Sequence, residues 1–140
     1  MVRSLQWTEE HSVYLPELDE EHQAMFRLLE ELRHAFVEGE AAANLESKLD
    51  YLAAEVTEHF LHEERLMRDA RYPQIEWHKR QHATLHAQMA SLANSIRAGE
   101  RASTFESLEA IAKWARDHTT VADRMAGAYL RNHLRERANR

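Results

Sequence analysis

Four stretches of this chain repeat apolar residues at steps of three and four, and residues of metal-ligating type stand on the same ladders. The first carries His22, Met25, Leu29, Leu32 and Phe36, and the second Leu45, Leu49, Leu52, Val56, His59, Glu63 and Leu66. The third carries His78, His82, Leu85, Met89, Leu92 and Ile96, and the fourth Thr104, Leu108, Ile111, Ala115 and His118. That period turns one face of a helix toward a shared core. Asp123 follows just after the fourth ladder. Unpaired, each ionisable group in such a core would cost several kcal/mol. One histidine on an apolar face is usually a satisfied core residue. Five imidazoles and two carboxylates together are explained most economically by metal coordination.

At 140 residues the chain is read as a single domain, residues 1–140. Only 3 Gly and 2 Pro favour long helices with few turns. The expected architecture is all-α: an up-down-up-down four-helix bundle with an N-terminal arm and a C-terminal helical extension. The arm covers 1–18, the bundle about 19–130 and a basic tail 131–140. Asp19 is the expected N-cap of a helix over about 19–38, ended near Gly39. A second helix runs over about 42–70, and Pro73 suits the first position of a third that ends near Gly99. Ser103 or Thr104 is expected to cap the fourth.

No stretch approaches the roughly 20 apolar residues of a membrane span. The opening Met1-Val2-Arg3-Ser4-Leu5-Gln6-Trp7 lacks the apolar core of a signal peptide, so the expectation is a soluble, cytoplasmic protein without a membrane partner. The absence of Cys removes disulfides, thiolate ligands and a cysteine nucleophile. A net charge of −6 argues against a nucleic-acid partner.

Short connections make successive helices antiparallel. His22 lies early in the first helix, His59 and Glu63 late in the second, His78 and His82 early in the third, and His118 late in the fourth. All fall at one end of the bundle. Residues four apart differ by about 40° and rise about 6 Å, so His59 with Glu63, and His78 with His82, point to a common centre. His118 and Asp123 are five apart, about 140° around an ideal helix. Their convergence predicts a π-bulge, a one-residue slip between Thr119 and Ala122. Imidazole and carboxylate without sulfur suit iron, zinc, copper or nickel.

Over roughly residues 7–130 the chain resembles the hemerythrin family. The resemblance rests on Asp19-Glu20-Glu21-His22, on His59-Phe60-Leu61-His62-Glu63-Glu64-Arg65-Leu66-Met67, on His78 with His82, and on Trp114-Ala115-Arg116-Asp117-His118 followed by Asp123. It implies a non-haem centre of two iron ions that binds dioxygen at one open position. His78, His82 and His118 would hold one iron and His22 and His59 the other, with Glu63, Asp123 and an oxo or hydroxo group bridging. No side chain is implied as a catalytic acid.

The departures from the family pattern fall in the pocket. Many relatives read Trp-Leu-x-x-His-Ile where this chain has Trp114-Ala115-Arg116-Asp117-His118-Thr119. Two bulky aliphatic groups become a methyl and a hydroxyl, and the space is either open and wet or filled by Phe60, Met125 or the arm. An open pocket implies a short-lived oxygen adduct and a shift toward sensing, or toward an enzyme acting on peroxide or nitric oxide. Glu55 stands where relatives often have Tyr, four residues before His59. Its readings are a surface glutamate, a hydrogen-bond partner behind a ligand imidazole, or a direct ligand. His62 and His86 read as surface or rim, and His11, His34 and His133 as surface. Met25, Met67, Met89 and Met125 read as core filler. Trp114 is expected beside the pocket and Trp7 pinning the arm. The expected function is oxygen storage, delivery or sensing, with any protein partner unknown.

Overall fold

The computed structural model describes residues 5–139, so the first four residues of the expected arm and the last of the tail lie outside the described residues. The chain is helical almost throughout, with α1 at Pro16–Val37, α2 at Ala42–Asp69, α3 at Ile75–Ala98 and α4 at Arg101–Asp117. A π-helical segment, His118–Ala122, leads from α4 into α5, Asp123–Ala138. The backbone stays right-handed helical through both junctions, so α4, the π segment and α5 make a single rod. Helix α1 packs on α2, α2 on α3 and α3 on α4, while α1 against α4 closes the ring. This is the four-helix bundle that the ladders predict.

Several boundaries differ from the sequence expectation. Helix α1 starts at Pro16, with Leu15 extended before it, because proline is pre-organised for the first helical position. Asp19 therefore lies inside the first turn and does not cap it. Its carboxylate turns back on the arm, accepting from Ser12 Oγ at 2.6 Å and the Val13 amide at 2.8 Å. Pro73 lies in a turn before α3, which begins at Ile75. Helix α4 begins at Arg101 and encloses Thr104, whose buried hydroxyl donates to the Glu100 carbonyl at 2.8 Å. Gly39 and Gly99 end their helices at φ +74° and +69°, a left-handed conformation that side-chain-bearing residues rarely adopt.

The arm makes a short 3-10 turn at Glu9–His11 and then lies against α5. Val13 is completely buried. A Cβ on Gly127 of α5 would sit 2.9 Å from the Val13 Cβ, so a glycine is what lets the arm approach this closely. Arg131 donates to the Val13 carbonyl and Arg124 to that of Ser12. Trp7 packs against the main apolar core.

That core is divided in two. The larger cluster includes Phe26, Val56, Phe60, Leu85 and Ala112, and the smaller includes Leu18, Met67, Tyr72, Ala126 and Leu130. On every rod the polar residues fall between them: His22 between Leu18 and Phe26, Glu63 between Phe60 and Met67, His78 and His82 between Ile75 and Leu85, and His118 and Asp123 between Ala112 and Ala126. Leu134, near the end of α5, is 47 % exposed. No helix among the described residues is long and apolar enough to cross a membrane.

Candidate metal centre

All seven sequence-predicted candidates meet in this polar layer, and each is at least 96 % buried. They sort into two overlapping groups. Glu63, His78, His82, His118 and Asp123 form one, and His22, His59 and Glu63 the other, with ligand-type atoms within 4.8 Å of each other in each group. Glu63 belongs to both. Its Oε1 lies 2.5 Å from His78 Nε2 and 3.1 Å from His82 Nε2, and its Oε2 lies 3.2 Å from His59 Nε2. Asp123 Oδ1 is 3.0 Å from His78 Nε2 and 2.9 Å from His118 Nε2, and its Oδ2 is 3.3 Å from His22 Nε2.

The slip that the sequence predicts is present. The π segment begins at His118 and ends just before Asp123, and its extra residue rotates Asp123 back onto the face of His118.

The donor set fits cations. His22 Nε2 and His59 Nε2 face each other at 3.0 Å, an approach that a shared neighbour of positive charge relieves. Glu63 Oε2, Asp123 Oδ1 and His118 Nε2 are buried with no aligned hydrogen-bond partner, although other polar atoms crowd them. With no cation between them the groups can balance only by taking up protons. Burial opposes charge on His22 and His78, but hydrogen bonds to Asp123 and Glu63 outweigh it and push both rings up to about 10. Burial likewise opposes the Glu63 charge, yet its four imidazole neighbours hold the carboxyl well below the usual range. Asp123 is lowered against burial and the nearby Glu63 charge by His118 and His22.

Three ligand-type rings are held from behind, and the holders follow a pattern. Glu21 on α1 receives His59 Nδ1 of α2 at 2.6 Å. Glu64 on α2 receives His82 Nδ1 of α3 at 2.8 Å, and Gln81 on α3 receives His118 Nδ1 at 3.2 Å. Each holder is the immediate sequence neighbour of a residue in the centre and supports a ring on the next helix. Such partners fix the ring and its tautomer. The sequence reading missed all three. Their signal was adjacency to His22, Glu63 and His82, one step of about 100° around each helix toward the neighbouring rod.

Glu55 does not fill that role. It is half-buried and lines a surface depression with Glu58, Arg65 and His62, while the bond behind His59 belongs to Glu21. The second Glu21 oxygen receives His62 Nδ1 at 2.8 Å, which places His62 at the rim. His86 is exposed, edge-on to Phe60.

Beside His22 and His59 lies a cavity of about 50 Å³ walled largely by apolar side chains, among them Phe26, Leu29, Val56, Phe60, Met89 and Ile111. Trp114, Ala115 and Thr119 also line it. Phe60 stacks on His82 at 3.6 Å and Trp114 on His118 at 4.2 Å. Met25, Met67 and Met89 pack in the interior as expected, but Met125 is 50 % exposed and fills nothing. The arm reaches the pocket wall instead. His11, expected on the surface, is 5 % exposed, edge-on to Phe26, with Nδ1 2.7 Å from Thr119 Oγ1. Burial lowers its pKa, so the ring is neutral near pH 7.

Residues 14–134 match the hemerythrin HHE cation binding domain. The chain belongs to the hemerythrin family. A bacteriohemerythrin of Stenotrophomonas maltophilia (strain R551-3) is 26 % identical over 132 residues, covering 94 % of this chain and 85 % of that protein. A cation-binding family agrees with a buried layer of imidazole and carboxylate that is balanced best by metal.

Proposed function

We propose that this hemerythrin-family chain holds two iron ions and binds dioxygen in the apolar cavity beside them, for oxygen storage, delivery or sensing. The observation that carries the reading is the asymmetric centre: a three-histidine group and a two-histidine group share Glu63, and both histidines of the smaller group but only His118 of the larger line the cavity. In this reading His78, His82 and His118 hold one ion, His22 and His59 the other, and Glu63 and Asp123 bridge them. Bound iron supplies the redox chemistry that reversible dioxygen binding requires.

The protein supplies the rest. Glu21, Glu64 and Gln81 orient three rings. Phe60 and Trp114 stack against two of them and shape the cavity, whose volume is close to that of one or two water molecules at roughly 30 Å³ each. Its apolar wall favours a small neutral gas over water. The redox-enzyme alternative drew on an open, wet pocket at Ala115 and Thr119, whereas the cavity there is small and its wall largely apolar, with the Thr119 hydroxyl bonded to His11.

The test is metal analysis and visible spectroscopy of protein purified in air, then reduced anaerobically and returned to oxygen. About two irons per chain, with bands that bleach on reduction and return as a distinct oxygenated spectrum, are expected. A colourless chain that holds zinc and forms no such bands with iron overturns the reading.

A further inference from the structure

We propose that His11 determines the ligand specificity of the cavity, by engaging the Thr119 hydroxyl so that a largely apolar wall selects a neutral diatomic over water and small anions. The inference rests on the proposed dioxygen site and assigns a role to a residue outside it.

The hydroxyl of Thr119 is committed on both sides. It donates to the Ala115 carbonyl at 2.8 Å, with the Arg116 carbonyl also within reach at 3.2 Å. Its single hydrogen being so used, the contact with His11 at 2.7 Å requires the ring to carry its hydrogen on Nδ1 and to donate it. Thr119 lines the cavity and brings its one hydroxyl there among the described residues. A water needs two to four polar partners to settle in a site this small. With its hydrogen and one lone pair engaged, the Thr119 hydroxyl offers a water or an anion no donor.

His11 is seated for this task by the fold around it. The 3-10 turn presents the ring, and Phe26 meets it edge-on at 4.8 Å. Its neighbour Ser12 is tied to Asp19 and to Arg124, and Val13 is seated over Gly127. A surface histidine needs none of this. An apolar side chain in its place would leave a Thr119 lone pair unmatched, and such a buried group recruits water.

The test is a double-mutant cycle on the iron-loaded chain, together with nitrogen NMR of the His11 ring in the metal-free chain. His11→Leu, of similar bulk, is expected to shorten the life of the oxygenated spectrum and to tighten azide binding to the oxidised protein, each about tenfold. In a Thr119→Val background the same change is expected to alter neither, because the hydroxyl is gone. His11→Gln, which can still donate to Thr119, is expected to recover most of the wild-type behaviour. NMR is expected to show a neutral ring with hydrogen on Nδ1. Additive effects in the cycle, or hydrogen on Nε2 alone, overturn the proposal. A chain that forms no oxygenated spectrum overturns the dioxygen reading, and the ring tautomer still decides whether His11 donates to Thr119.

Discussion

His78, His82 and His118 sit in a braced wall of which only His118 reaches the cavity, whereas His22 and His59 both face it. Phe60 and Trp114 stack flat on two of the three rings in the wall, and Glu64 and Gln81 hold the same two from behind. On the cavity side Glu21 holds His59, while His22 Nδ1 has no hydrogen-bond partner and no ring stacks flat on either histidine among the described residues. The difference teaches how one buried layer can hold charge firmly and still leave room for a ligand. Stacking and outer hydrogen bonds make one side stiff, and the free volume is gathered on the other.

The largest way to break the contrast is to remove what the two sides share. Glu63→Ala is expected to abolish metal binding on both, read by metal analysis, whereas His22→Ala should empty only the cavity side. Opening a buried ionic cluster in this way also costs about 3–5 kcal/mol of stability. Phe60→Ala tests the braced side: loss of a buried phenyl ring should cost about 3–5 kcal/mol in denaturant unfolding and loosen the His82 ring. Unchanged unfolding would show that the stack braces nothing.

Protons sharpen the comparison, since each side has one ring pushed up to about 10, His22 and His78. Raised imidazole values add stability that is full below about 6.5, the unfolded value, and is lost as pH rises toward 10. The lowered carboxyls of Glu63 and Asp123 add stability present above their unfolded values near 4 and lost as pH falls. The metal-free chain should therefore be most stable between about pH 5 and 6.5 and weaken as pH rises toward 10. Metal loading at pH 7 should release protons, measurable by calorimetry in buffers of different ionisation enthalpy. The smallest effect is expected at Glu21. Glu21→Gln should weaken metal binding on the cavity side about 10–100-fold and leave the braced side intact. Glu55→Gln should change neither, and equal losses from the two variants would remove the distinction drawn between them.

The ladders made the four helices legible because burial imposes a period, and they made the seven central residues legible because polar groups on that period need a reason. The π segment could be read from the five-residue step between His118 and Asp123. Helix starts were less legible. Asp19 and Thr104 have good capping chemistry, but Pro16 and the pull of the arm placed the first turn earlier than Asp19. His11 was illegible for another reason. It lies outside any ladder, in a segment without period, and its burial follows from contacts with Thr119 and Phe26 that sequence distance conceals. Glu21 was hidden among three consecutive acids, of which only the geometry of two packed helices selects one.

The fourth rod also runs on two clocks. Each residue of an α-helix advances it by about 100°, and the surplus residue in the π segment resets the phase at Asp123. Deleting one residue from 119–121 would leave His118 and the carboxylate four apart, about 40° around an ideal helix, so the bulge would vanish and all that follows would keep its face. Straightening the bulge with every residue kept would instead restore the step of about 140°, turning Asp123 from the centre, Ala126 and Leu130 from their apolar cluster, and Gly127 from beneath Val13, and unseating the arm and His11 with it. The π turn is what keeps metal centre, core and arm in one register.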